Sequence, residues 1–168
     1  MDSIELNFNV IMVNFNATKE LKKEVDSFRQ QVISDVIRYR IDHKTYWSKT
    51  ADRKDYPSVI AGCEYGKEMA AGRSLTGRCY TPRTLRLHPL IQAPIVALAP
   101  LGSVIPSSSS GMFYGTCAED DAATKVLNRL DCKHTQLPIV KDLTFAPPFR
   151  PRTLEFRDCC DVCQKVFG

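Results

Sequence analysis

The apolar positions change period several times along the chain, and each change marks an element. Ile4, Leu6, Phe8 and Val10 alternate with polar residues and run into Ile11, Met12 and Val13, which predicts a strand within residues 4–15. Leu21, Val25, Phe28, Val32, Val36 and Tyr39 recur at steps of three and four, which predicts an amphipathic helix over 17–40. Thr18 stands where an N-cap belongs, and Glu20 lies in the first turn, where the helix dipole favours negative charge. The other face carries Lys19, Lys22, Lys23, Arg29 and Arg38, the composition of a solvated face on a core-packed helix.

Ser58–Glu64 reads as a buried strand that Gly66-Lys67 can turn back into 68–73 as a hairpin. Pro82, Pro89, Pro94, Pro100 and Pro106, with the serine run 107–110, exclude a long helix over 74–110. They predict an extended loop wrapped over a site, within which Pro94–Leu101 is an edge strand or a covering segment. Ala122, Val126 and Leu130, flanked by Ala123 and Leu127, predict a helix from Asp120 to Leu130 whose alanines let it approach a sheet closely. Leu137–Val140 and Leu143–Phe145 are strand-like but interrupted by Lys141-Asp142, and Pro147–Arg152 reads as a rigid basic link.

This order of elements predicts an α/β fold. A chain of 168 residues is long enough for one core, so a single domain over 1–168 is expected, with 1–57 an N-terminal strand and helix extension and 58–168 the core. Hydrophobic residues at 43% and charged residues at 25% exclude a disordered segment. The net charge of +4 suits an anionic partner but does not by itself require one. Met1–Glu5 is acidic, no apolar signal core follows, and no apolar run approaches the roughly 18 residues of a membrane span. A cytoplasmic location with no membrane partner is therefore expected. Asn16-Ala17-Thr18 matches a glycosylation acceptor incidentally.

Seven cysteines cannot all pair, and in a reducing compartment close cysteines act as metal ligands or catalytic groups. Cys117 precedes Glu119 by two residues at the start of the predicted helix, and Cys160 and Cys163 are spaced so that both thiolates can face one ion from the first turn of another. Three such ligands leave a fourth position open. A closed structural site would take a fourth ligand from Cys132, Cys159 or His134, and Cys-x-x-Cys alone also fits a redox pair. Cys63 and Cys79 read as small core residues, and His88, between Leu87 and Pro89, as structural. Trp47, beside His43, Lys44, Tyr46 and Lys49, reads either as a stacking platform for bases or as a loop aromatic plugging a core edge. Tyr114 and Phe113 offer the same two choices.

Tyr114-Gly115-Thr116-Cys117-Ala118-Glu119 with Ala122-Ala123, the Cys160-x-x-Cys163 pair and the hairpin 58–73 resemble the cytidine deaminase superfamily in its Cys-Ala-Glu form, and within it the YwqJ-like deaminases of polymorphic toxins. The resemblance spans residues 58–168. It implies a three-layer fold, a mixed β-sheet with both metal-bearing helices on one face, to which the N-terminal helix is added. It implies Zn²⁺ held by Cys117, Cys160 and Cys163, a zinc-activated water that attacks cytosine, and Glu119 as the proton shuttle, yielding uracil. The expected substrate is single-stranded nucleic acid, DNA ahead of RNA, contacted by Tyr114, Thr116, Ala118 and Trp47; a toxin would also have an immunity protein as partner. A free nucleoside substrate and an inactive zinc-stabilised binding module are the alternatives. Cys159 stands where the family has proline, and so competes with Cys160 as a ligand.

Overall fold

The structure, a computed structural model, describes residues 13–42, 55–75, 86–106 and 112–168. Helix α1 (Lys19–Asp42) is followed by strands β1 (Ile60–Tyr65) and β2 (Glu68–Arg73) and by helices α2 (Pro89–Val96) and α3 (Ala118–Cys132). A 3₁₀ turn at Val140–Asp142, strand β3 (Thr144–Phe149) and helix α4 (Asp161–Phe167) complete the order. The strands form one sheet, ordered β2-β1-β3, and both pairings are antiparallel. The fold is α/β as expected. Among the described residues the strands pair only antiparallel, and the expected mixed sheet shows as one parallel bridge from Asn14 to Thr144. The rest of the expected strand at 4–15, together with Trp47, Lys44, Lys49, Cys79 and the serine run, lies outside the described residues.

Alternation along the strands sorts the core into two halves. Ile60, Ala71 and Ala146 pack with Leu21, Val25 and Val32 of α1 on one face. Cys63, Ala70 and Phe145 pack with α3, α2 and α4 on the other. The sheet is thus sandwiched between helices, and α3 and α4 share a face. Gly62 faces α1, where an added Cβ would lie 2.3 Å from Val25 Cγ2. Gly72 faces α3, where it would lie 2.3 Å from the backbone nitrogen of Ala122 and 2.5 Å from the carbonyl oxygen of Ala118. The turn between β1 and β2 is made by Gly66 at φ +59°, a conformation that glycine adopts without strain.

Helix α1 starts where its cap predicts. Thr18 Oγ1 accepts from the Leu21 amide at 3.2 Å, and the same threonine is held from the sheet by buried Glu64. The Glu64 carboxylate accepts from Thr18 N at 2.8 Å and from Thr18 Oγ1 at 2.6 Å.

Three segments differ from expectation. Residues 89–96 form α2 instead of loop or edge strand. Pro89 occupies its first turn, where no intrahelical N–H is needed, and buried His88 caps it. His88 Nδ1 accepts from Leu90 N at 3.2 Å and Nε2 meets Asp131 at 2.8 Å, which makes this histidine structural. Pro147 and Pro148 are not a link but the middle of β3. They sit where Gly62 pairs with Ala146 and Ile60 with Phe149, so two prolines oppose one residue and the ladder asks neither for an amide hydrogen. Residues 137–139, also expected as strand, precede the 3₁₀ turn without regular structure, and Ile139 is exposed.

The close approach of α3 to β2 gives a direct test. Gly72→Ala must push backbone against backbone, so its urea midpoint should fall by an amount equivalent to roughly 3 kcal/mol with an unchanged slope. A loss below about 0.5 kcal/mol, the scale of an ordinary surface change, would show that the helix can move off the sheet.

Candidate metal centre

Two helix N-termini meet on the covered face of the sheet. Cys117 is the N-cap of α3 and Cys160 the N-cap of α4, both with extended backbone, and Cys163 lies in the first turn of α4. α3 is seated by its alanines over Gly72, and α4 by Val162, Val166 and Phe167, whose ring lies 4.7 Å from that of Phe145. The sulfurs of Cys117, Cys160 and Cys163 all fall within 4.8 Å of one another, an arrangement that can hold a metal ion. Cys117 Sγ and Cys160 Sγ are 3.3 Å apart, and Cys160 Sγ accepts from the Cys163 amide at 3.4 Å.

The thiols do not titrate alike. Hydrogen bonds from Cys117 and Cys163, with backbone amides at the start of α4, hold Cys160 down at about 3. Cys117 is pushed above the usual thiol range, first by its hydrogen bond to Cys160, and Cys163 is raised by its thiol neighbours and by burial. The cluster therefore keeps one thiolate that the other two thiols solvate. A cation would displace those two protons.

Glu119, in the first turn of α3, is buried beside the cluster, its carboxylate within 4.8 Å of the sulfurs of Cys159 and Cys163. Burial raises it to about 7, with the Cys160 thiolate adding in the same direction. The sulfur of Cys159 groups with Glu119 and Cys163, whereas that of Cys160 groups with Cys117 and Cys163. Cys132 and His134, at the far end of the 15-residue α3, are roughly 20 Å of helix away from Cys117 and supply no fourth ligand. Asp120 is wholly buried with neither carboxylate oxygen hydrogen-bonded, and burial with Glu119 alongside drives it toward the protonated form.

A cavity of about 440 Å³ opens onto the cluster. Cys117, Ala118, Glu119 and Cys160 line it, as do Tyr56, Pro57, Val59 and Met112 on an apolar side. Arg150, Arg152, Arg157 and Asp158 line it from the segment between β3 and α4. Of the residues expected to touch substrate, Ala118 lines the cavity, whereas Tyr114 packs against the core and Thr116 is buried with its hydroxyl donated to the Phe113 carbonyl at 2.7 Å. Sequence reasoning missed Tyr56, Met112, Arg157 and Asp158 as lining residues. Only Arg157 carried a legible signal, as a third arginine after Arg150 and Arg152.

Comparison of the chain with protein-family models, with curated proteins and with solved structures finds no match. The site thus stands on its own geometry and on the motif. Among the described residues, no helix is long and apolar enough to cross a membrane.

Serine at position 117, 160 or 163 should abolish binding of about one metal ion per chain, whereas Cys159→Ala and Cys132→Ala should keep it, as read by elemental analysis of reduced protein. Equal loss in Cys159→Ala would place that sulfur in the ligand set. The metal-free protein should also show the sign of the Glu119 shift. A carboxyl raised from 4.5 to about 7 favours folding while neutral. Its contribution, roughly 3 kcal/mol, is complete below about pH 4.5 and is lost as pH rises toward 7. Urea unfolding across that range should show this decline in the wild type and a flatter profile in Glu119→Gln.

Proposed function

We propose that the protein is a zinc-dependent deaminase that converts cytosine to uracil, with single-stranded nucleic acid, DNA ahead of RNA, as the substrate. The observation that carries this reading is the convergence of three thiols from two helix N-termini beside a buried carboxyl at the floor of an open cavity. The residues fit the ion. Tetrahedral zinc with bonds of about 2.3 Å sets neighbouring sulfurs about 3.8 Å apart. The separation of 3.3 Å between Cys117 and Cys160, and the 4.8 Å limit within which all three sulfurs fall, bracket that value. Bound there, zinc would supply Lewis acidity and lower the pKa of water.

The chain's own residues do the rest. Cys117, Cys160 and Cys163 fix the ligand geometry from two helix ends that are rigidly seated on the sheet. Glu119 belongs to no part of the thiol triad, and in the ion-free site burial raises its pKa to about 7, toward the range useful to a proton shuttle. It takes the proton of the water attacking C4 of cytosine and later passes it to the amine nitrogen that leaves as ammonia. Pro57, Val59 and Met112 offer the base an apolar wall that excludes bulk water. A base stacked within a duplex cannot present its C4 to an enclosed site, which favours single strands.

A specific observation keeps a second reading in view. Buried Cys159 lies beside Cys163 and Glu119, and a shift of its sulfur toward the triad would close the coordination sphere. The protein would then be a zinc-stabilised module with no turnover. The deciding measurement is uracil formed in single-stranded DNA and RNA oligonucleotides and in free cytidine by wild type and Glu119→Gln, each after metal analysis. The deaminase predicts uracil from wild type alone, a loss of 10²-fold or more in the variant, and equal zinc in both. Equal zinc and no uracil from any substrate would establish the structural module instead.

A further inference from the structure

The cavity has a second wall whose chemistry the deamination step does not use. Arg150, Arg152 and Arg157 all line it, and all come from the arm that returns from β3 to α4. The arm is stiff. Arg150 N donates to the Glu155 carbonyl at 2.8 Å, Leu154 N to the Arg150 carbonyl at 2.9 Å, and Arg157 N to the Pro148 carbonyl at 2.8 Å. From α1, Arg29 Nε donates to the carbonyl of buried Pro151 at 2.7 Å, which pins the tip. The charges of these arginines are incompletely answered. Arg150 Nε is 3.3 Å from Glu155 Oε2 yet too poorly aligned for a hydrogen bond, and it is buried without another acceptor. Among the described residues Arg152 and Arg157 are exposed and ion-paired with no carboxylate, and Asp158 is the one acid on this wall.

Arg150, Arg152 and Arg157 line the same cavity as Glu119, so one stretch of its wall is cationic. Guanidinium forks match phosphate oxygens in pairs. Arg150 is paired with Glu155, and a neutral base or nucleoside would leave the charges of Arg152 and Arg157 unanswered. We infer that Arg150, Arg152 and Arg157 form a phosphate-binding rim, so that the cavity takes its pyrimidine as a nucleotide, anchored by phosphate, and not as a free base or nucleoside. The inference rests on the reading of the cavity as a cytosine site and names the form in which the cytosine arrives. The shared chemistry is the phosphate group, either the monoester of a nucleotide or the diester of a strand.

Binding, read separately from turnover, tests it. Anisotropy of a fluorescein-labelled single-stranded oligodeoxynucleotide containing one cytosine would be titrated with the zinc-loaded full chain across a salt series. Cytidine, cytidine 5′-monophosphate and inorganic phosphate would serve as competitors. Arg152→Gln and Arg157→Gln should each weaken binding about tenfold and lower the log–log salt slope by about 0.7, while Lys67→Gln at the β1–β2 turn should match wild type. The monophosphate and inorganic phosphate should compete, and cytidine should not. A monophosphate that competes as well as an unlabelled strand identifies the monoester, and a far tighter strand identifies the diester; both uphold the rim. Arginine variants that bind with wild-type affinity and slope, cytidine that competes as well as its monophosphate, or a wild type that binds none of these would overturn it. Arginine-dependent binding with no uracil formed would remove the deaminase and leave the rim standing, so the two failures are distinguishable.

Discussion

The closeness of α3 to the sheet governs everything built at its end. Gly72 has no side chain because the backbone of α3 occupies the space, with Ala118 and Ala122 directly above it. A helix set this low on a strand cannot rotate or slide without collision, so packing fixes the position of its N-cap. Cys117 is that N-cap. The thiol is therefore located by packing several residues away, before any ligand or substrate contributes.

The same helix also manages the exposed side of β2, which is an outer strand of the sheet. Asp121 accepts from the Arg73 amide at 3.0 Å, Lys125 donates to the Ala71 carbonyl at 2.9 Å, and Arg129 donates to the Met69 carbonyl. These are the alternate backbone groups that a further strand would otherwise pair with. The acid after Asp120 thus finds its purpose in edge protection and not in chemistry, and Lys125 adds a cation over the Phe28 ring of α1 at 4.8 Å. With Glu64 holding Thr18 at the other end of the sheet, buried or half-buried carboxylates tie both helical layers to the strands.

Much of this was legible in the residue pattern. The stripe from Leu21 to Val32 faces one side of the sheet as its period requires, the Gly66 turn makes the hairpin, and Cys117, Cys160 and Cys163 come together. What was hidden has a common cause. Proline signals a break only while its partner groups are assumed to follow the regular pattern. Pro89 falls where a helix needs no amide hydrogen, and Pro147 with Pro148 falls in a bulge, so local rules misplaced α2 and β3. The cavity walls were hidden for another reason. Tyr56, Met112 and Arg157 meet only through the packing of distant segments, and no periodicity encodes that.

Cys117 and Cys160 stand 43 residues apart in the chain, yet their sulfurs nearly touch. An ion shared between them would act as a cross-link that closes this long loop, and the entropy it removes from the unfolded chain grows only slowly with loop length. The enclosed stretch carries α3, the 3₁₀ turn, β3 and the arginine-bearing arm. An ion here would therefore tie every one of these elements to the two helix ends that hold it.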